Sequence, residues 1–313
     1  MTLTKAAALF SGQGTQCTGM GKDFYDAFPQ VKRIYECAGD ILGMDVARLS
    51  FEGDEEILAR TAISQPTIYT MSIAAWEAAK AIFSVPFAVA GHSLGEYAAL
   101  YAAGSFSLED GFRLIGARAR VMEEAAKANS GAMWAIMKVD EATITEICDS
   151  IDGLVMPVNF NNPGQTVISG ETQAAETAAE LLKEKGGRVS RLGVCSAFHT
   201  PLMQKAADAF YEEIKGLTFR PCTIDFYSNL TGDKLAIEDY PSYFAKHMVS
   251  PVLFSSQITA MVRDGIDTCV EFGPKKAVST MAKKNEKGLS VASVENLKTL
   301  EELHAFLKKA REE

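Results

Sequence analysis

Residues 85–104 confine this chain to folds in which a strand, a sharp turn and a helix follow one another. Val85-Pro86-Phe87-Ala88-Val89-Ala90 is an apolar run of strand length. Glu96-Tyr97-Ala98-Ala99-Leu100-Tyr101-Ala102-Ala103 is rich in helix formers and stops at Gly104. Between them lies Gly91-His92-Ser93-Leu94-Gly95, and G-x-S-x-G in that setting is a nucleophile elbow. Its glycines permit a tight turn and the close approach of neighbouring backbone. The serine hydroxyl then stands at the tip, beside the free N–H groups of a helix start. Donors in that position stabilise an oxyanion, so the segment points to acyl transfer through a serine ester. A bare G-x-S-x-G also fits an ordinary glycine-rich loop, and the flanking elements weigh against that.

A serine hydroxyl needs a base within hydrogen-bond reach. The candidates are His92, His199, His247 and His304. His304 lies on a charged terminal helix and reads as a surface residue. His247 ends a helical stretch, where a favourable place in the helix dipole explains it. His92 adjoins the serine, but consecutive residues of a tight turn point apart. His199, in Ser196-Ala197-Phe198-His199-Thr200-Pro201, is the base by elimination. Between Ser93 and His199 no Asp or Glu stands in a recognisable strand-end setting to orient it, so a backbone carbonyl is an equally good partner.

Arg118 lies on a helix expected over about 108–127, with Leu114, Ile115, Val121 and Met122 three and four positions away. A guanidinium on an apolar face must find an anion, because burying it unpaired is costly. The anion is either an internal carboxylate or the carboxylate of a substrate, which arginine matches with two parallel bonds. Arg120, flanked by Glu123 and Glu124, reads as a solvated ion pair.

The 313 residues suffice for a substantial core, and 47% hydrophobic with 23% charged residues is ordinary for a soluble enzyme. A net charge of −9 argues against nucleic-acid binding. No apolar run is long enough to span a bilayer, and the opening residues read as a first buried strand more than as a leader, so a cytoplasmic protein is expected. Cys17, Cys37, Cys148, Cys195, Cys222 and Cys269 show no metal-ligand spacing, so neither metal nor cofactor is expected.

Patterning divides the chain further. Residues 6–10 read as a strand, 22–82 as mostly helical with Pro66 opening one helix, and 268–272 as a strand whose Gly273-Pro274 starts another helix. Between about 130 and 196 the order is βαββαβ, a ferredoxin-like unit. The expected fold is α/β, a large α/β-hydrolase-like domain (1–128 and 197–313) carrying an inserted ferredoxin-like subdomain (129–196).

Five segments occur in order: Phe10-Ser11-Gly12-Gln13-Gly14-Thr15-Gln16, Gly91 to Tyr97, Arg118, Val158-Asn159-Phe160-Asn161, and Ser196 to His199. Together they resemble the malonyl-CoA:acyl carrier protein transacylases of fatty acid and polyketide synthesis, over nearly the whole chain. The resemblance implies Ser93 as nucleophile, His199 as base and Arg118 as anchor for the malonyl carboxylate. It places the oxyanion in the backbone N–H groups of Gln13 and Leu94, and the carbonyl that orients His199 at Leu253. Ser11 stands where the family usually has proline, a change expected to loosen the first loop. Phe198 resembles the malonyl-selective pattern, leaving little room for an α-methyl branch. The implied partners are malonyl-CoA and an acidic, phosphopantetheinylated carrier protein. Lys275-Lys276 and Lys283-Lys284, on one helical stretch, are candidates to meet that carrier, or else a solvated face. A self-contained site makes a monomer the simple expectation. The competing readings are a serine esterase or thioesterase, and a carrier-binding scaffold without catalysis.

Overall fold

The computed structural model describes residues 5–83, 86–128, 130–194 and 196–312. The first four residues, Val85 of the apolar run and the Cys195 thiol lie outside them. The chain opens with β1 (Ala6–Phe10), α1 (Lys22–Ala27), α2 (Pro29–Leu42), α3 (Val46–Glu52), α4 (Glu55–Ala59) and α5 (Thr61–Ala79). Next come β2 (Ala88–Gly91), α6 (Gly95–Ala102) and α7 (Leu108–Ala128). The middle runs β3 (Gly131–Met137), α8 (Glu141–Ser150), β4 (Val155–Asn162), β5 (Gln165–Glu171), α9 (Thr172–Glu184) and β6 (Arg188–Arg191). It closes with α10 (Gln204–Ile214), β7 (Asp225–Phe226), α11 (Tyr240–Met248), α12 (Phe254–Arg263), β8 (Thr268–Phe272), α13 (Ala277–Asn285), β9 (Ser290–Val294) and α14 (Leu297–Glu312).

A five-stranded sheet in the order β7-β2-β1-β8-β9 is parallel throughout. Its central strands are buried along their whole length, which explains why Ala6–Phe10 is apolar on both faces. In register, Phe10 lies between Gly91 and Phe272, so the loops after β1, β2 and β8 leave the sheet side by side. The carboxyl ends of parallel strands are where such sheets bind ligands.

The second sheet, β4-β5-β3-β6, is antiparallel. Alternation along β3 sends Ala132 and Ile136 toward α8 and α9, while Met133 and Ala135 join the main core. Among the described residues, no helix is long and apolar enough to cross a membrane.

Several local expectations change. Pro66 does not open a helix but lies inside α5, which begins at Thr61, so one turn proceeds without the bond its N–H would have made. Gly273-Pro274 does not start α13, because Gly273 (φ 132°) and Lys275 (φ 62°) are left-handed and delay the helix to Ala277. Lys275 and Lys276 therefore precede α13, with Lys283 and Lys284 in its last turn. Ser11 does not loosen the first loop. It is buried, and its hydroxyl donates to Glu271 Oε1 at 2.9 Å. Glu271 also accepts from Ser279 N–H (2.8 Å) and Oγ (2.7 Å), tying that loop to α13.

Candidate active site

The elbow closes because two glycines leave no space for a side chain. A Cβ on Gly91 would stand 2.0 Å from the carbonyl carbon of Gly95, and one on Gly95 would stand 2.1 Å from Phe10 O. Ser93 between them is held at φ 50°, a region that non-glycine residues rarely occupy and that marks functional turns.

Ser93 Oγ lies 2.8 Å from His199 Nε2. His199 is itself left-handed (φ 63°) and buried. Its Nδ1 faces two main-chain oxygens, Ser250 O at 3.0 Å and His247 O at 3.2 Å. The oriented carbonyl is therefore not that of Leu253. Leu253 caps α12, and its oxygen accepts from Gln257 N–H inside the first turn, whereas carbonyls at and beyond the end of α11 have no helical partner. Burial, with the charges of Arg118 and His92, pushes His199 down to about 3, so it stands as a neutral base at neutral pH.

Arg118 is the largest of the fully buried side chains. The inward face of α7 carries Leu114, Ile115, Val121 and Met122 beside it, as the spacing requires. Its Nη2 donates to Ser93 Oγ at 3.2 Å, its Cζ sits 5.1 Å from the Tyr97 ring centre, and its Nε has no partner. No carboxylate pairs with it within 4.0 Å among the described residues. Arg120 reaches Glu124 and Glu213 on the exposed side of the same helix.

Gln13, Ser93, Phe198 and His199 line one cavity of about 530 Å³. A groove of about 600 Å³ along the outer face of α7 touches none of them, so the chemistry selects the smaller space. Leu94 stands at the start of α6, and neither its N–H nor that of Gln13 donates to a protein acceptor among the described residues. Of the four lysines, Lys275 alone lines the cavity. Lys276 faces Glu295 at 3.5 Å, and Lys283 donates to Leu289 O.

Two polar groups, His247 and Asn229, escaped sequence reading, while a third was read correctly. His92 turns away from Ser93, as expected of a tight turn, and donates to Asn161 Oδ1 at 2.7 Å. His247 is fully buried and packs against the His199 ring at 5.5 Å between centres. The signal was present: Tyr240, Tyr243, Phe244 and His247 share one helical face. Asn229, between β7 and α11, accepts from Ser93 N–H at 2.7 Å and carried no local signal at all.

Residues 8–308 match the acyl transferase domain family. A malonyl CoA-acyl carrier protein transacylase of Bacillus subtilis (strain 168) is 37% identical over 304 residues, 96% of each chain. This chain belongs to the malonyl-CoA:acyl carrier protein transacylase family. The enzyme of that name from Escherichia coli (strain K12) is 35% identical, over 90% of this chain and 93% of that protein. The solved Clostridium perfringens transacylase superposes with a TM-score of 0.93 at 36% identity, covering 98% of both chains. A malonyl-transacylase solved with its type II PKS acyl-carrier protein superposes at 0.91 and 31% identity, covering 97% of this chain and 100% of that one.

Proposed function

We propose that this acyltransferase moves a malonyl group from malonyl-CoA to the phosphopantetheine thiol of an acyl carrier protein, through an ester on Ser93. The observation that carries the reading is Arg118, a buried guanidinium that donates to the nucleophile and has no carboxylate within 4.0 Å among the described residues, although the buried Glu96 carboxyl feels its charge. A carboxylate on the acyl group supplies the missing anion. The names and structures of the relatives support the donor and the acceptor.

In the first half-reaction Ser93 Oγ attacks the thioester carbonyl and its proton passes to His199 Nε2. The N–H groups of Gln13 and Leu94 receive the oxyanion, each donor contributing about 10²- to 10³-fold in rate. The C–S bond then breaks, and His199 returns the proton to the departing CoA sulfur. In the second half the carrier thiol gives its proton to His199 and attacks the ester. The ester C–O bond breaks, and His199 passes the proton to the departing Ser93 Oγ. None of these steps uses a metal or cofactor. Arg118 holds the acyl carboxylate throughout, and Phe198 on the cavity wall disfavours an α-methyl branch.

The same reading treats residues 1–128 and 197–313 as a hydrolase-like catalytic body and 129–196 as a ferredoxin-like insert. The parallel sheet with its elbow supports the first, and the βαββαβ sequence with strand order β4-β5-β3-β6 supports the second. It also takes the protein as a cytoplasmic monomer that meets the carrier at the cavity mouth beside Lys275.

Intact-protein mass measurement after brief exposure to malonyl-CoA, beside acetyl-CoA and Ser93→Ala, tests the assignment. The expected result is a malonyl increment on the unmodified chain alone, discharged quickly by a thiol acceptor and slowly by water. Immediate release as free malonate supports a serine hydrolase instead.

A further inference from the structure

Asn229 is fully buried, and every polar group it has is engaged. Its main-chain N–H donates to Glu96 Oε1, and its carbonyl accepts from Leu253 N–H at 2.9 Å. Side-chain Nδ2 donates to Gly91 O at 2.8 Å and to Gln257 Oε1 at 2.9 Å. Side-chain Oδ1 accepts from Ser93 N–H at 2.7 Å and faces His247 Nε2 at 3.3 Å.

We propose that Asn229 is a positioning residue for both members of the Ser93–His199 pair. Its amide staples the two ends of the Gly91-His92-Ser93 turn, donating to the first residue and accepting from the third. The left-handed backbone of Ser93 requires an outside constraint of this kind, since a strained turn persists only where its surroundings over-determine it. The same oxygen meets the ring of His247, whose carbonyl is one acceptor for His199 Nδ1. The Asn229 carbonyl holds Leu253, three residues beyond Ser250, which supplies the other acceptor.

Only an amide of this length fits. Gly91 O must receive a hydrogen and Ser93 N–H must give one, so the side chain needs a donor and an acceptor on adjacent atoms. Its orientation is set from behind. Gln257 Nε2 donates to Tyr227 O at 2.7 Å, leaving Gln257 Oε1 as the acceptor that Asn229 Nδ2 meets. With Ser93 N–H consumed in this way, the next donor along the turn, Leu94 N–H, is left without a protein acceptor among the described residues.

The inference rests on Ser93 being the nucleophile, not on the identity of the acyl group. Asn229→Ala and Gln257→Met are compared with the unmodified chain in two single-turnover reactions. These are malonyl-ester formation at saturating malonyl-CoA, and labelling of Ser93 by an uncharged fluorophosphonate. Both are scored per folded molecule, with the folded fraction taken from circular dichroism. For Asn229→Ala both rates fall about a hundredfold, the cost of a misplaced reacting group, while the half-saturating malonyl-CoA concentration stays within about twofold. Gln257→Met, which loosens the amide without touching the elbow, slows both by about tenfold and carries the test should Asn229→Ala not fold. Normal rates for folded variants that only melt earlier would overturn the proposal. So would slowed malonyl loading with normal phosphonate labelling, which would place the effect in the acyl pocket. A parent chain that labels with phosphonate but takes no malonyl removes the malonyl reading, and the phosphonate rates still decide the role of Asn229.

Discussion

His199 donates the hydrogen on Nδ1 to the main-chain oxygen of Ser250 at 3.0 Å, which leaves Nε2 free to accept from Ser93. A carbonyl can only accept, so this contact selects one tautomer of the base. Being neutral, it adds no full negative charge that would favour the imidazolium.

That absence sets the pH dependence. Burial first, then the Arg118 charge, hold His199 down at about 3. The base form is present throughout the neutral range and is lost only as pH falls toward that value. Labelling of Ser93 by an uncharged phosphonate is therefore expected to stay level from about pH 8 to about pH 5. Arg118→Met removes a positive charge that disfavours the imidazolium, so the acid limb moves to higher pH. A limb in the ordinary histidine range for the unmodified chain would contradict the assignment.

On the proposed reading Arg118 also sets which acyl group is accepted. Arg118→Ala is expected to cost malonyl loading about 2–5 kcal/mol and acetyl loading much less, because only malonyl loses a partner. The malonyl-to-acetyl ratio then drops by about thirtyfold or more. Competition between the two CoA esters, read by intact mass, measures it directly. An unchanged ratio would remove Arg118 from substrate selection.

The elbow glycines answer to space as well as to backbone angle. An added Cβ at Gly91 or Gly95 would meet main-chain atoms at 2.0 and 2.1 Å, and main chain cannot rotate away. Gly91→Ala and Gly95→Ala are each expected to destabilise the fold by about 3 kcal/mol or more, at the upper end of overpacking costs. Ser93 acylation should be lost with them. Urea unfolding midpoints matching the parent would show that the turn relaxes more easily than this packing allows.

Glu96 supplies a test of the buried network behind the dyad. Burial pushes its carboxyl up to about 8 against an ordinary 4.5, opposed by bonds from Asn229 N–H and Tyr243 OH. The folded state thus holds a proton that the unfolded chain releases, and stability falls as pH rises from about 4.5 to about 8. Glu96→Gln cannot ionise and escapes this loss. Between pH 6 and pH 8 its unfolding free energy should gain about 1–3 kcal/mol relative to the parent. Parallel stability curves would mean that Glu96 stays ionised beside His247, 3.5 Å away.

Much of this site was readable in the linear chain because its signals are local. Ser93 announces itself through the glycines and the flanking elements, and Arg118 through apolar neighbours at helical spacing. His199 followed by elimination among four histidines. His247 was read only through its place in the helix dipole near the end of α11, while its aromatic face turned it inward beside His199. Ser11 was misjudged because its partner, Glu271, lies 260 residues away.

The sequence by itself determined most of the elements, the elbow that carries Ser93 and the need of Arg118 for an anion, since each follows from steric or polar demands within a few residues. Tertiary structure alone decided what surrounds them. It brought the end of α11 to His199 Nδ1, Asn229 to Ser93 N–H, and no carboxylate within 4.0 Å of Arg118 among the described residues. Such contacts join segments from different strands and helices, and their geometry exists only once the parallel sheet has set those segments side by side.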